Sequence, residues 1–218
     1  MLLKYFTIPV IAECACFIAA ILLLKKRTTI WRLFILFLFF TLCVETTGWF
    51  VTFILKTKGN GWLFNFNMFI NVVFCTWMLS NAEQLQKIKR LINYIIAFFL
   101  FFSIINLIFF QGLLAYNSLT EVFGDIIFIV LSLYFFFLLL REDQYRNVFQ
   151  YEYFWYANGL LFYSLGAVVL FLYYSYMKTL KMPGLSNQAY RTINDTLNVL
   201  LYGSYIIAFI CRNRNTKS

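Results

Sequence analysis

The apolar positions of this chain do not form the narrow 3.6-residue stripe of a soluble amphipathic helix. They form long, nearly unbroken blocks. Seven such runs follow one another, at about 5–24, 33–55, 62–80, 91–110, 119–140, 154–177 and 192–211. A helix needs about 20 apolar residues to cross the hydrocarbon core of a bilayer. The separators between runs carry the charge: Lys25-Lys26-Arg27 through Arg32, Lys56 to Asn60, Glu83 to Arg90, Gln111 to Ser118, Arg141 to Glu152 and Lys178 to Arg191. Arg212-Asn213-Arg214 stops the last run. The pattern predicts an all-α polytopic integral membrane protein, with residues 1–218 forming a single seven-helix transmembrane domain. The first run contains Glu13, and its basic cluster follows rather than precedes it, so it reads as a retained helix and not a cleaved signal. Pro183-Gly184, in the longest outer separator, reads as a turn.

Orientation follows from the basic residues, which concentrate on the cytoplasmic side. The separators after the first, third and fifth runs, with the tail, hold twelve Lys and Arg; the N-terminus and the remaining separators hold six. The N-terminus is therefore expected outside and the C-terminus inside. Trp31, Trp62, Trp77 and Trp155 fall near run ends, where an interfacial aromatic belt is expected.

Composition agrees with this class. The chain is 62% hydrophobic and 12% charged, whereas a soluble domain is roughly 25% charged. The net charge of +9 sits at helix flanks as topology signal, so no nucleic-acid partner is expected. There is no histidine, which excludes His-based acid–base catalysis, His-ligated haem and the common zinc sites. Cys14, Cys16, Cys43, Cys75 and Cys211 lie in or beside apolar runs without disulfide or zinc spacing and read as packing residues. No cofactor is expected and no metal is assigned. Gly159 and Gly166, with Ala157 and Ser164, repeat seven residues apart and read as a close helix contact.

The informative exceptions are the acids. Glu13, Glu45, Glu121, Asp125 and Asp195 are five of the nine acidic residues, and they fall inside the apolar runs. A carboxylate at the bilayer centre costs about 2.5–3.5 kcal/mol on insertion scales and marks function. With the N-terminus outside, all five fall in the outer half or near the midplane, without Lys or Arg inside the runs to pair them, while the inner half holds Asn158 and no acid. Glu121 and Asp125 are four residues apart and share a helical face; so do Asn67 and Asn71, and Asn194 and Asn198. The expected ligand or cation pocket is Glu13, Glu45, Asn67, Asn71, Glu121, Asp125, Asn194, Asp195 and Asn198, with Glu13, Glu45 and Asp195 as its floor, and Glu121 and Asp125 at its mouth. Tyr173, Tyr174 and Tyr176 are expected to wall the same space. Asn65 and Asn106 read as interhelical hydrogen-bonding groups. Burial and mutual repulsion both oppose ionisation of clustered carboxylates, and an entering cation favours it. Cation or proton binding is the expected chemistry.

A seven-helix layout alone leaves several families open, and the residues exclude four. No lysine lies in 192–211 for a retinal Schiff base, Ser80-Asn81-Ala82-Glu83 stands where receptors of the Asp-Arg-Tyr type carry that motif, no Pro-Gln pair occurs, and only Gly124-Asp125 matches the intramembrane aspartyl-protease pattern. The stretches Phe154-Trp155-x-x-Asn158-Gly159-Leu160-Leu161-x-Tyr163-x-x-Gly166 and Ile193-Asn194-x-x-Leu197-Asn198-Val199-Leu200-Leu201-Tyr202 resemble the last two helices of bacterial seven-helix membrane sensor modules associated with histidine kinases. This resemblance implies a bacterial inner membrane and a signal-input role. Because the chain carries no kinase domain, it also implies a membrane signalling partner in trans. The expected function is a receptor-like sensor for a small cationic ligand or protons, embedded in the lipid bilayer, with self-association as a further partnership. The alternative is a small transporter or cation/proton channel. An intramembrane enzyme is the third class; no nucleophile–base pair supports it, so no catalytic residue is assigned.

Overall fold

The structure, a computed structural model, describes residues 7–24, 29–54, 61–112, 115–142, 147–179 and 183–215. Among these the regular elements are all helical: α1 (Ile8–Leu24), α2 (Thr29–Phe53), α3 (Gly61–Leu79), α4 (Lys89–Asn106), α5 (Ser118–Leu140), α6 (Glu152–Thr179) and α7 (Pro183–Asn215). A 3-10 turn at Glu83–Ile88 leads into α4, and a wide π-turn at Leu107–Gln111 ends it at Gly112. Gly112 has φ 75°, a left-handed backbone that side chains with a Cβ avoid.

Six helices are long and apolar enough to cross a membrane: Ile30–Thr52, Gly61–Leu79, Glu83–Phe110, Ser118–Leu140, Glu152–Tyr173 and Ala189–Asn215. Helix α1 is apolar but shorter, at 17 residues. Only 22–44% of the residues in each long apolar window are buried, so much of their apolar surface is partly or fully exposed. Phe101, Phe109, Leu133, Leu140, Val169 and Leu172 are among the outward-facing groups, all more than half exposed. So broad an apolar surface belongs in lipid rather than water.

The helices close into a ring, each packing on its neighbours in sequence and α7 returning to α1. Helix α3 also touches α5 and α6, which makes it the central strut. Lipid supplies no hydrogen bonds, so polar groups must find partners within the protein. The threonines of α2 do so locally: Thr41, Thr46 and Thr52 donate to the carbonyls of Phe37, Leu42 and Gly48, one turn back, at 3.0, 2.7 and 2.8 Å.

Helices α2, α6 and α7 begin earlier than their apolar runs. Helix α2 begins at Thr29 rather than 33, and α6 covers Glu152–Thr179 rather than 154–177. Helix α7 begins at Pro183, not 192, and runs to Asn215. Pro183-Gly184 therefore opens a helix instead of turning a loop. Proline suits the first helical position, where its fixed φ fits and its missing N–H would have no intrahelical partner. The extension draws Arg191, Arg212 and Arg214 into α7. Trp31 is also corrected. It is not an interfacial belt residue but lies 1% exposed in the core, while Trp62 is 48% exposed.

Helix α6 packs most extensively on α7, and the small residues explain why. A Cβ on Gly159 would stand 2.7 Å from Ser204 Cβ and 3.4 Å from the Leu201 carbonyl oxygen. A Cβ on Gly166 would collide with the Leu197 side chain, which can swing away more easily. Gly203 faces open space. Gly159→Val should cost about 1–3 kcal/mol through overpacking, seen as a lower apparent melting temperature of the detergent-solubilised protein. Gly203→Ala should leave that temperature nearly unchanged.

Candidate functional site

The nine polar residues singled out from the sequence line one cavity of about 500 Å³. Helix α1 contributes Glu13, α2 contributes Glu45, α3 contributes Asn67 and Asn71, α5 contributes Glu121 and Asp125, and α7 contributes Asn194, Asp195 and Asn198. The first halves of α1, α5 and α7, the middle of α3 and the second half of α2 meet around this cavity, so one end of the bundle is polar inside.

Depth follows burial. Glu13 is 3% exposed and Asp125 is 6% exposed. Glu45, Glu121 and Asp195 are half-buried, and Tyr116, Tyr190 and Arg191 at the rim are exposed. The expected floor is thus partly rearranged: Asp125 joins Glu13 in the deep part, and Asp195 sits nearer the rim. Glu45 lies close enough to Glu13 for the two carboxylates to repel, and Glu121 bears on Asp125 in the same way. Among the described residues none of the five acids has an ion-pair partner. Glu13 Oε1 and Asn67 Oδ1 are buried without a hydrogen bond. Asn71 Oδ1 accepts from Cys75 Sγ at 3.1 Å, and Asn198 Nδ2 donates to the Asn194 carbonyl at 2.8 Å.

The aromatic wall is not the expected one. Tyr173 and Tyr176 are exposed and do not line the cavity, and the side chain of Tyr174 lies outside the described residues. Tyr116, Tyr163, Tyr190 and Tyr202 line it instead. Tyr163 stands within electrostatic reach of Asp125, Glu121 and Glu45, and Tyr202 within reach of Glu13 and Glu45. Arg191 was expected in a separator, yet it lines the rim from within α7, one turn before Asp195. The acids are therefore not wholly without a basic neighbour inside the helices.

An asparagine latch fixes the α5 end of the cavity. Asn65 Nδ2 donates to the Ala115 carbonyl at 2.8 Å, and the backbone N–H of Asn117 donates to Asn65 Oδ1 at 2.8 Å. Asn106 Nδ2 donates to Asn117 Oδ1 and, at 3.1 Å, to Thr120 Oγ1. Helices α3 and α4 thereby hold the first turn of α5, from which Glu121 projects. Asn65→Ala should lose two of these bonds and strand the buried Asn117 N–H, at a cost of about 1–3 kcal/mol. An SDS-unfolding titration checks this.

Below the cavity the interior turns aromatic. Phe34 packs on Phe37, Phe74, Tyr156, Tyr205 and Phe209 with ring centroids 5.1–5.7 Å away. Tyr156 and Tyr205 stack at 5.2 Å, and Tyr202 meets Tyr205 edge-on at 6.2 Å. This plug separates the acidic cavity from a second polar cluster at the other end. There Arg212 Nη1 pairs with Glu152 Oε1 at 2.7 Å, and Asn215 Nδ2 donates to Glu152 Oε2 at 3.1 Å. Tyr151 Oη donates to Gln84 Oε1 at 2.9 Å, and Gln84 Nε2 donates to Glu142 Oε1 at 2.6 Å. Glu152 is 4% exposed, so the half expected to lack acids holds a buried one, with a basic partner. A third concavity, about 430 Å³ between α2, α3 and α4, is lined by apolar side chains such as Phe69, Val73 and Leu100 and lies on the outer, lipid-side surface.

No family model, curated protein or solved structure matches this chain. The site is therefore read from its own chemistry.

The two polar ends respond differently to loss of charge. Glu152→Gln breaks the 2.7 Å ion pair with Arg212 and should destabilise the fold by about 3 kcal/mol, the low end for a buried pair because the Arg212 side chain keeps 22% exposure. Asp125→Asn removes an acid that repels Glu121 and has no basic partner among the described residues, so it should hold or raise the apparent melting temperature.

Proposed function

We propose that this protein is a seven-helix membrane sensor. It binds a small cation or protons in the acidic cavity, reached from the outer face, and passes the change to a membrane partner at the inner face. In this reading α1 completes a seventh crossing, the N-terminus lies outside and the C-terminus inside. A bacterial inner membrane and a histidine-kinase partner are the setting that the resemblance of α6 and α7 suggests. The observation that carries the reading is the set of acids without ion-pair partners among the described residues, lining a cavity whose rim is exposed and whose deep end stops on an aromatic plug.

The plug also gives a physical route between the two ends. From the cavity wall Tyr202 touches Tyr205, Tyr205 touches Phe34, Phe34 stacks on Trp31 at 6.2 Å, and the guanidinium of Arg212 lies 6.0 Å over the Trp31 ring. A close-packed core transmits displacement rather than absorbing it. A cation drawn among Glu13, Glu45 and Tyr202 would therefore shift the packing that holds the Glu152–Arg212 pair.

The second reading, a proton or cation transporter, is favoured by one feature. The buried Tyr202 lines the cavity and meets Tyr205, which stacks on Tyr156, and Thr76 Oγ1 is buried on α3 without a hydrogen bond. Reconstituted vesicles separate the two. The sensor reading expects saturable binding of methylammonium, weakened by Glu45→Gln, with no methylammonium or proton flux above protein-free vesicles. Flux that Glu45→Gln abolishes would establish the transporter instead.

Orientation has its own test. On a background with the exposed Cys43 replaced by Ala, a cysteine at Lys58 should react with an impermeant thiol reagent from outside intact cells, and one at Gln144 only after lysis.

A further inference from the structure

We infer that the acidic cavity takes a linear ligand with at least two separated amino groups, a diamine or polyamine, rather than a metal cation; the inference rests on the cation-binding reading above.

The cavity is more than a patch of acids. Glu13 is buried to 97% of its surface, lines the cavity and leaves Oε1 with no hydrogen-bond partner. A buried acceptor left unsatisfied is costly, which points to a donor that the protein itself does not supply. That donor is not well matched by a metal ion. Hard cations need several oxygens converging on one point, and among the described residues no three acids or cysteines come together closely enough to hold one.

The acids instead form two pairs on different walls. Glu13 of α1 and Glu45 of α2 line the cavity from adjacent, packed helices within electrostatic reach of each other, and Glu121 and Asp125 lie one turn apart on α5. Helix α1 packs on α2 and α7, whereas α5 packs on α3, α4 and α6, so the pairs stand on different parts of the ring. One ammonium group serves one pair, and a ligand that satisfies both needs two.

The space between the pairs suits a methylene chain. Tyr163 stands within electrostatic reach of the α5 pair and of Glu45, and Tyr202 within reach of Glu45 and Glu13. Both phenol rings line the cavity, and aromatic faces attract ammonium groups while covering the carbon chain beside them. The volume, about 500 Å³, lies within the range of roughly 300–1,000 Å³ usual for small-molecule sites and far exceeds what a bare ion needs. The fifth acid, Asp195, stands one turn from Arg191 on the same face, so it is offset at the rim and is not required by the ligand.

The test is titration calorimetry on the full-length protein in phosphatidylcholine nanodiscs, with empty nanodiscs as the blank. Spermidine, 1,4-diaminobutane, butylamine and calcium chloride are the probes. Spermidine should bind at least about tenfold tighter than butylamine, as expected for one further charge-assisted contact, and calcium should bind more weakly than either. The paired variants Glu13→Gln/Glu45→Gln and Glu121→Gln/Asp125→Asn should each bring spermidine down to the affinity of butylamine. None of the four acids has an ion-pair partner among the described residues, so neither variant breaks such a pair; apparent melting temperatures that hold or rise would confirm that both fold. Equal affinities for spermidine and butylamine, or tighter binding of calcium, would overturn the polyamine assignment and leave a cation site. No saturable binding of any probe would overturn the assignment and the cation-binding function together.

Discussion

The bilayer interior offers no hydrogen bonds, and many polar side chains among the described residues find their partners within the protein. Threonines on α2 bond to their own helix. Asn65, Asn106 and Asn117 bond one another across three elements. Glu152 meets Arg212 and Asn215. Once these groups are satisfied, one set stands apart: carboxylates gathered around a cavity, with Glu13 Oε1 lacking a partner. The ring of helices hides these acids from lipid and gives them no ion-pair partner among the described residues. That residual demand for positive charge is the physical basis of the functional reading.

Packing decides where the demand can be met. Gly159 and Gly166 bring α6 and α7 close, which sets Tyr163 and Tyr202 on adjoining walls of the same space. Gly124 allows the same closeness between α5 and α3, where its Cβ would stand 2.6 Å from Val72. Asp125 follows directly on that contact. The aromatic plug then closes the deep end, and the Glu152–Arg212 pair anchors the far end of α7 to the start of α6. Acid site, plug and ion pair thus share α7 as a common element, so a change at one end has a stiff path to the other.

Much of this was legible in the residue order. Block hydropathy located the helices because the bilayer requires long apolar runs, and the nine cavity residues stood out because polar groups in such runs are costly. Other parts were hidden for definable reasons. Pro183 can end a helix or begin one, and only the backbone tells which. Glu152 and Arg212 lay at the edges of runs, where charge is ordinary, so their burial and pairing gave no signal. Tyr163 and Tyr202 sit in apolar runs among many aromatic residues, and spacing alone did not separate them from the exposed Tyr173 and Tyr176. Trp31 likewise had the sequence position of a belt residue and the environment of a core residue. Arg191 moved from loop to cavity rim only because α7 begins earlier than its apolar run.

The central claim is that the cavity is wet, cation-attracting and open on one side of the membrane. Reaction of Asn67→Cys, on the Cys43→Ala background, with a cationic, membrane-impermeant thiosulfonate tests it most directly. Applied to sealed vesicles of known sidedness, the reagent should react rapidly from the outer face, several-fold faster than an anionic reagent of the same size, and not from the inner face. Equal reaction from both faces, or faster reaction with the anionic reagent, would contradict the account.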